Sequence, residues 1–114
     1  MAGRVVVFLT RADAASLRLA GSYALAAAAM SDRVDVFAFG AAAVALVEAQ
    51  GDPDHPAALL QQARRTGACR LLGCSAGLVD AKVEPARAEA ALDAVVGWPT
   101  VLEWSRGVVD RFYF

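Results

Sequence analysis

Two kinds of segment alternate along this chain. Short, largely apolar runs occur at Arg4–Leu9, Val34–Phe39 and Cys69–Gly73; the first is continuous and rich in β-branched residues, the pattern of a strand covered on both faces. Between them lie longer stretches with helical spacing. Asp13 can cap a helix from Ala14 to about Met30, with an apolar ridge of Leu17, Ala20, Gly21, Ala24, Leu25 and Ala28 at i, i+3, i+4 intervals. Its opposite side carries Leu19, Ala26 and Ala29. A helix apolar nearly all round is buried on more than one side, and the second surface is expected to be another subunit.

Gly40 opens a short alanine-rich helix to about Glu48, and Gln50–Pro56 is the one clear loop. Pro56 suits the first position of a helix reaching Arg65, which Thr66-Gly67 ends. After Cys74-Ser75-Ala76-Gly77 a loop is expected as far as Glu84, then a helix from Pro85. Ala94–Trp98 fits a helix end or a short fourth strand equally. Thr100-Val101-Leu102-Glu103 matches a capping box that starts a brief helix stopped by Gly107, and Val108–Phe114 closes the chain as a strand.

Strands alternating with helices predict a flavodoxin-like three-layer α/β sandwich, with a four- or five-stranded, mostly parallel sheet. Right-handed crossovers then put the functional loops at the carboxyl edge of the strands: Thr10–Asp13, Gly40–Ala42, Cys74–Gly77 and Trp98–Thr100. The 114 residues fit a single domain over 1–114.

Composition narrows the function. A net charge of −1 leaves no basic stripe for nucleic-acid phosphates or for docking on an anionic membrane. The richest apolar stretch, Leu19–Met30, is too short to span a bilayer, and the N-terminal run is too short for a signal peptide. The expectation is a soluble, cytoplasmic protein. A mean hydropathy of +0.44 and the tail Phe112-Tyr113-Phe114 exceed what one small core should absorb, a second pointer to a homo-oligomer. No GxGxxG or P-loop occurs, so no nucleotide cofactor is expected. With one histidine and no CxxC, a metal site is not expected either.

Gly73-Cys74-Ser75-Ala76-Gly77 is the segment that could carry chemistry. Formally it is the G-x-S-x-G of a nucleophile elbow, yet no histidine follows Ser75 to act as its base. The alternative nucleophile is Cys74, at the strand's carboxyl end before a Ser-Ala-Gly turn. Backbone N–H groups there favour a thiolate, and the small neighbours Gly73, Ser75, Ala76 and Gly77 leave room for a partner's sulfur. Equally, Cys74 reads as a small buried apolar residue, the common lot of free cysteines. Cys69 points to the opposite face and reads as core. An extended strand holds the two α-carbons about 16 Å apart, too far for a disulfide.

The remaining candidates are structural. Glu84, Glu89 and Asp93 read as dipole partners of the Pro85 helix. His55 reads as loop decoration, and Trp98 and Trp104 as core or interface aromatics. Arg11, Asp13 and Glu103 are candidates to line the carboxyl-edge crevice.

The element order, the cysteine after the third strand with Cys74-Ser75-Ala76, and the tail Gly97-Trp98-Pro99-Thr100-Val101-Leu102-Glu103-Trp104 resemble the DsrE/DsrF-like family over nearly the whole chain. The resemblance implies a sulfur-relay protein or sulfurtransferase. Cys74 would hold sulfane sulfur as a persulfide, exchange it with donor and acceptor proteins or small thiols, and work in a homo-oligomer. Some family members lack the cysteine, so the other expectation is a non-catalytic module of the same fold. That module would bind a small ligand or partner and leave Cys74 inert.

Overall fold

The computed structural model describes residues 3–30, 32–108 and 110–114. The strands are β1 (Arg4–Leu9), β2 (Arg33–Ala38), β3 (Cys69–Cys74), β4 (Ala94–Val96) and β5 (Asp110–Tyr113). The helices are α1 (Ala14–Ala29), α2 (Ala41–Glu48), α3 (Ala58–Arg65), α4 (Ser75–Asp80), α5 (Pro85–Ala91) and α6 (Trp98–Trp104). All strand pairs are parallel, in the order β4-β3-β2-β1-β5. The expected parallel α/β layering is borne out with five strands; the order differs from the 2-1-3-4-5 of flavodoxin itself.

That order fixes where the helices lie. The chain steps one way from β1 to β4, then crosses back over the sheet to β5. Right-handed crossovers therefore place α1–α5 on one face and α6 on the other. The core divides accordingly. Val7, Leu9, Val34, Val36, Cys69 and Leu71 pack under α1–α5, while Val6, Phe37, Leu72 and Val96 meet Val101 of α6. Buried alanines and glycines let the helices approach closely. A Cβ added to Gly21 of α1 would lie 2.6 Å from the Leu59 Cβ of α3.

Several boundaries differ from the sequence reading. Asp13 does cap α1, its carboxylate accepting the Ser16 N–H at 3.0 Å. The inward ridge is Leu17, Ala20, Gly21, Ala24 and Ala27, so Ala27 takes the place expected for Ala28. Pro56 does not begin a helix: the Ala57 N–H donates to the His55 Nδ1 at 3.0 Å, and α3 starts at Ala58. The segment after Gly77, expected as a loop as far as Glu84, continues as helix to Asp80, the end of α4. The capping box at Thr100 does not form, because α6 begins earlier, at Trp98 after the N-cap Gly97, with Pro99 in its first turn. Ala94–Val96 resolves as strand. The closing strand is Asp110–Tyr113, and Val109, inside the expected span, lies outside the described residues.

Candidate functional site

The five predicted site residues stand together at the carboxyl end of β3, on two sides of the sheet. β3 runs Cys69 to Cys74, and α4 begins at the next residue. Cys74 thus occupies the N-cap position of α4, with extended backbone at φ −69 and ψ 125. The Ser-Ala-Gly segment is therefore the first turn of a helix, not a free turn.

Alternation along β3 sends Cys69, Leu71 and Gly73 to the α1–α5 face, and Arg70, Leu72 and Cys74 to the α6 face. The Cys74 thiol is free and half-buried. Cys69 is free and buried, and burial foremost, with Asp93 and Asp35 adding, pushes its thiol up to about 12. It stays protonated at ordinary pH, which removes its nucleophilic form.

Gly73 and Gly77 do not open space around the sulfur. A Cβ on Gly73 would meet Leu92 at 2.7 Å, and one on Gly77 would meet the backbone N of Gly40 at 2.8 Å. Their missing side chains serve packing on the α1–α5 side. Ser75 and Ala76 are exposed and leave the approach open from the α4 end.

On the α6 face, Cys74 sits in register beside Val96. One residue beyond the Ala38–Gly73 pair, Phe39 flanks it on the other side. The Phe39 ring stacks on Trp98 with centroids 5.0 Å apart, so the two rings meet over the end of β3. The row continues from Phe39 to Phe8 at 6.4 Å and from Phe8 to Tyr113 at 5.1 Å. Phe8, Phe39, Trp98, Val101, Leu102 and Tyr113 border an apolar groove of about 410 Å³. Trp98 is 60% exposed, so the expectation of a core or interface aromatic resolves here into a groove wall.

Nearer the amino edge of the same face, Asp35 is buried between two arginines. Arg70 donates Nε to one carboxylate oxygen at 2.7 Å and Nη2 to the other at 2.9 Å. Arg4 adds bonds at 3.0 and 2.8 Å. Burial alone would raise the Asp35 pKa; the arginine hydrogen bonds outweigh it and hold the carboxyl below its usual range. Arg70 also lies 4.7 Å over the Trp104 ring, which ties β3 to α6. The sequence reading missed this network, although a charge inside the apolar run Val34-Asp35-Val36-Phe37 was its signal.

A second hollow, about 620 Å³, opens on the α1–α5 side of the carboxyl edge between Ala12, Gly40, Val44, Glu48, His55, Gly77 and Asp80. The His55 Nε2 lies 4.0 Å from the Glu48 carboxylate. His55 is therefore a tied loop residue, engaged with Ala57 and Glu48 and not with Ser75. Asp13 is occupied as a cap. Glu103 stands on α6, across the sheet from Asp13, so these two do not converge. Asp93 is no dipole partner of α5: it follows that helix and accepts the Leu71 N–H at 2.7 Å. Among the described residues, no three of His, Cys, Asp and Glu cluster as metal ligands, and no helix is long and apolar enough to cross a membrane.

The sequence matches the model of the DsrE/DsrF-like family over residues 4–106. The chain belongs to that family. DsrE/DsrF-like proteins are sulfur-relay proteins, and the match takes in β3, Cys74 and α4 together. Among solved structures, the ychN protein of E. coli superposes with a TM-score of 0.70, covering 98% of this chain and 99% of that one at 15% identity. The likeness is one of fold. Comparison with curated proteins finds no match in sequence.

Proposed function

We propose that this DsrE/DsrF-like chain relays sulfane sulfur and that Cys74 is the residue that carries it. The observation behind this reading is the contrast between the two thiols of β3. Cys74 is half-buried, at the loop-bearing edge and the start of α4, while Cys69 is sealed in the core. Transfer needs a thiolate and a path for the incoming sulfur. The Cys74 thiolate attacks the outer sulfur of a donor persulfide. The donor's S–S bond breaks, its thiolate leaves with the electron pair, and a Cys74 persulfide remains. An acceptor thiolate then attacks the terminal sulfur and returns Cys74 as thiolate, with no net oxidation. Gly73 and Gly77 set the strand end against α2 and the helical layer, and Ser75 and Ala76 border the approach. The partners are a sulfur donor and an acceptor, each a protein or a small thiol.

The test is to incubate Cys69→Ser and Cys74→Ser with a sulfane-sulfur donor and weigh the intact chains. Cys69→Ser should gain one sulfur atom and Cys74→Ser none; loading on Cys74→Ser would overturn the assignment. The competing reading, a ligand-binding module, draws on the hollow at Glu48 and His55, which lies on the opposite side of β3 from the thiol. Wild-type protein that accepts no sulfur from any donor favours that module.

A further inference from the structure

A net charge of −1 conceals an uneven distribution. Alternation along the strands turns Arg4 of β1, Arg33 of β2, Arg70 of β3 and Arg111 of β5 to the α6 face. Arg106 follows the end of α6. Contacts gather these arginines where α6 ends, near the amino edge of the sheet. Arg111 donates Nη2 to the Ser105 carbonyl at 2.9 Å, Arg4 points Nη1 at the Arg106 carbonyl 3.5 Å away, and Arg70 lies over Trp104. The acids of this face are Asp35, shared by Arg4 and Arg70, and the exposed Glu103. Asp110 and Asp32 lie on the other side, where burial first, and then their charges, raise the Tyr23 pKa. Five arginines against two carboxylates leave the α6 face with a surplus of three positive charges, and the other side chains with an excess of four negative ones.

Holding α6 does not use up these guanidinium groups, each of which has five N–H donors. Arg70 spends Nε and Nη2 on Asp35, and Arg111 spends Nη2 on Ser105. Among the described residues, no carboxylate pairs with Arg33, Arg106 or Arg111, and all three are exposed. Arg4 and Arg33 are direct neighbours in the parallel register, two like charges whose repulsion a bound anion relieves.

We propose that this face binds an acidic segment of a partner protein. Spacing selects that class of ligand. Arg70 and Arg111 stand in one row across the sheet, three strand spacings and therefore about 14 Å apart at their α-carbons. A single oxyanion meets one or two of these cations. An extended chain with a carboxylate at every second residue repeats about every 7 Å and reaches several. The negative excess elsewhere disfavours a nucleic acid, whose phosphates would continue past the arginines onto acidic surface. Cys74 lies four residues farther along β3, about 13 Å from Arg70, so the docked segment leaves the carboxyl edge open.

Fluorescence anisotropy of a labelled peptide of alternating glutamate and glycine tests this, and its readout is independent of sulfur loading. The peptide should bind at low salt and dissociate as salt is raised to about 0.3 M. Arg33→Glu combined with Arg106→Glu alters two exposed side chains that bond nothing among the described residues, and should weaken binding about tenfold. Arg65→Glu combined with Arg87→Glu makes the same change in net charge on exposed positions of α3 and α5, across the sheet, and should bind like wild type. Absence of binding by wild type at low salt, equal weakening by the two double variants, or displacement of the peptide by millimolar phosphate would each overturn the proposal. So would tighter binding of an oligothymidylate of equal charge, which would assign the face to nucleic acid.

Discussion

The two faces of the sheet are closed by different means. Under α1–α5 the fit depends on absent volume: glycines and alanines let helices touch strands and one another. Gln61 is the buried polar side chain there, donating to the Leu46 and Ala91 carbonyls. Under α6 a single short helix covers five strands, and directional contacts replace close fit: the stacked aromatic row and the Arg4–Asp35–Arg70 network. Each face holds one cysteine, and the contrast explains their difference. A face sealed by helices keeps its thiol neutral and out of reach; a face with one helix leaves its thiol accessible. The exposure of each thiol follows from how its surface is covered, not from which residue type occupies it.

The largest expected effect tests the directional face. Asp35→Asn leaves two arginines facing an amide in place of the carboxylate, and should lower stability by about 3 kcal/mol, read from urea unfolding. The deficit depends on pH in a set direction. Because the folded-state pKa of Asp35 is depressed, the stability it supplies is present above the ordinary carboxyl range and fades as pH falls through the lower folded value. The variant and wild type should therefore converge in strong acid. A deficit unchanged by acid would mean that the loss is one of packing.

A smaller effect sharpens the contrast in volume tolerance. Gly77→Ala forces a methyl against the Gly40 backbone and should cost about 1–3 kcal/mol. Gly97→Ala, beside α6, meets nothing closer than the Pro99 ring at 3.8 Å and should stay within about 0.5 kcal/mol. Equal costs in urea titrations would erase the distinction between the faces.

The effect that is smallest at neutral pH concerns Cys69. In the unfolded chain its thiol ionises near pH 9, whereas in the fold it holds its proton to about 12. Its contribution is fully present below pH 9 and is lost as pH rises through that window, by about 1.4 kcal/mol per pH unit. Cys69→Ala should lack this alkaline slope. In folded wild type at pH 8, iodoacetamide should label Cys74 and spare Cys69; labelling of Cys69 at a similar rate would show that its face is not sealed.

Features carried by local sequence were legible from it. The run Arg4–Leu9 forms a strand because its β-branched side chains suit a surface buried on both sides. Asp13 caps α1 through a bond within its own turn. The parity of residues 69 and 74 placed the two thiols on opposite faces. The misreadings involve partners distant in sequence. α4 contains Gly77, a poor helix former, and forms where Leu78 reaches the core and Gly77 meets Gly40. Pro56 suits a helix start by itself, yet the His55 ring takes the Ala57 N–H and defers α3 by two residues. At the site, position was legible and surroundings were not. Cys74 stood out by its place in the chain, whereas Phe39 and Trp98 come together only because β2 and β4 flank β3.

The pairing of β5 with β1 also bears on how the protein is made. Of the five described strands, β5 is synthesised after the other four, yet it lies beside β1. Until β5 has been made, the outer edge of β1, the apolar sequence Val-Val-Val-Phe-Leu, therefore lacks its neighbour. Exposed hydrophobic strand edges are templates for aggregation. The nascent chain carries this hazard until residue 113 has emerged, and a chain interrupted anywhere in α6 keeps it permanently.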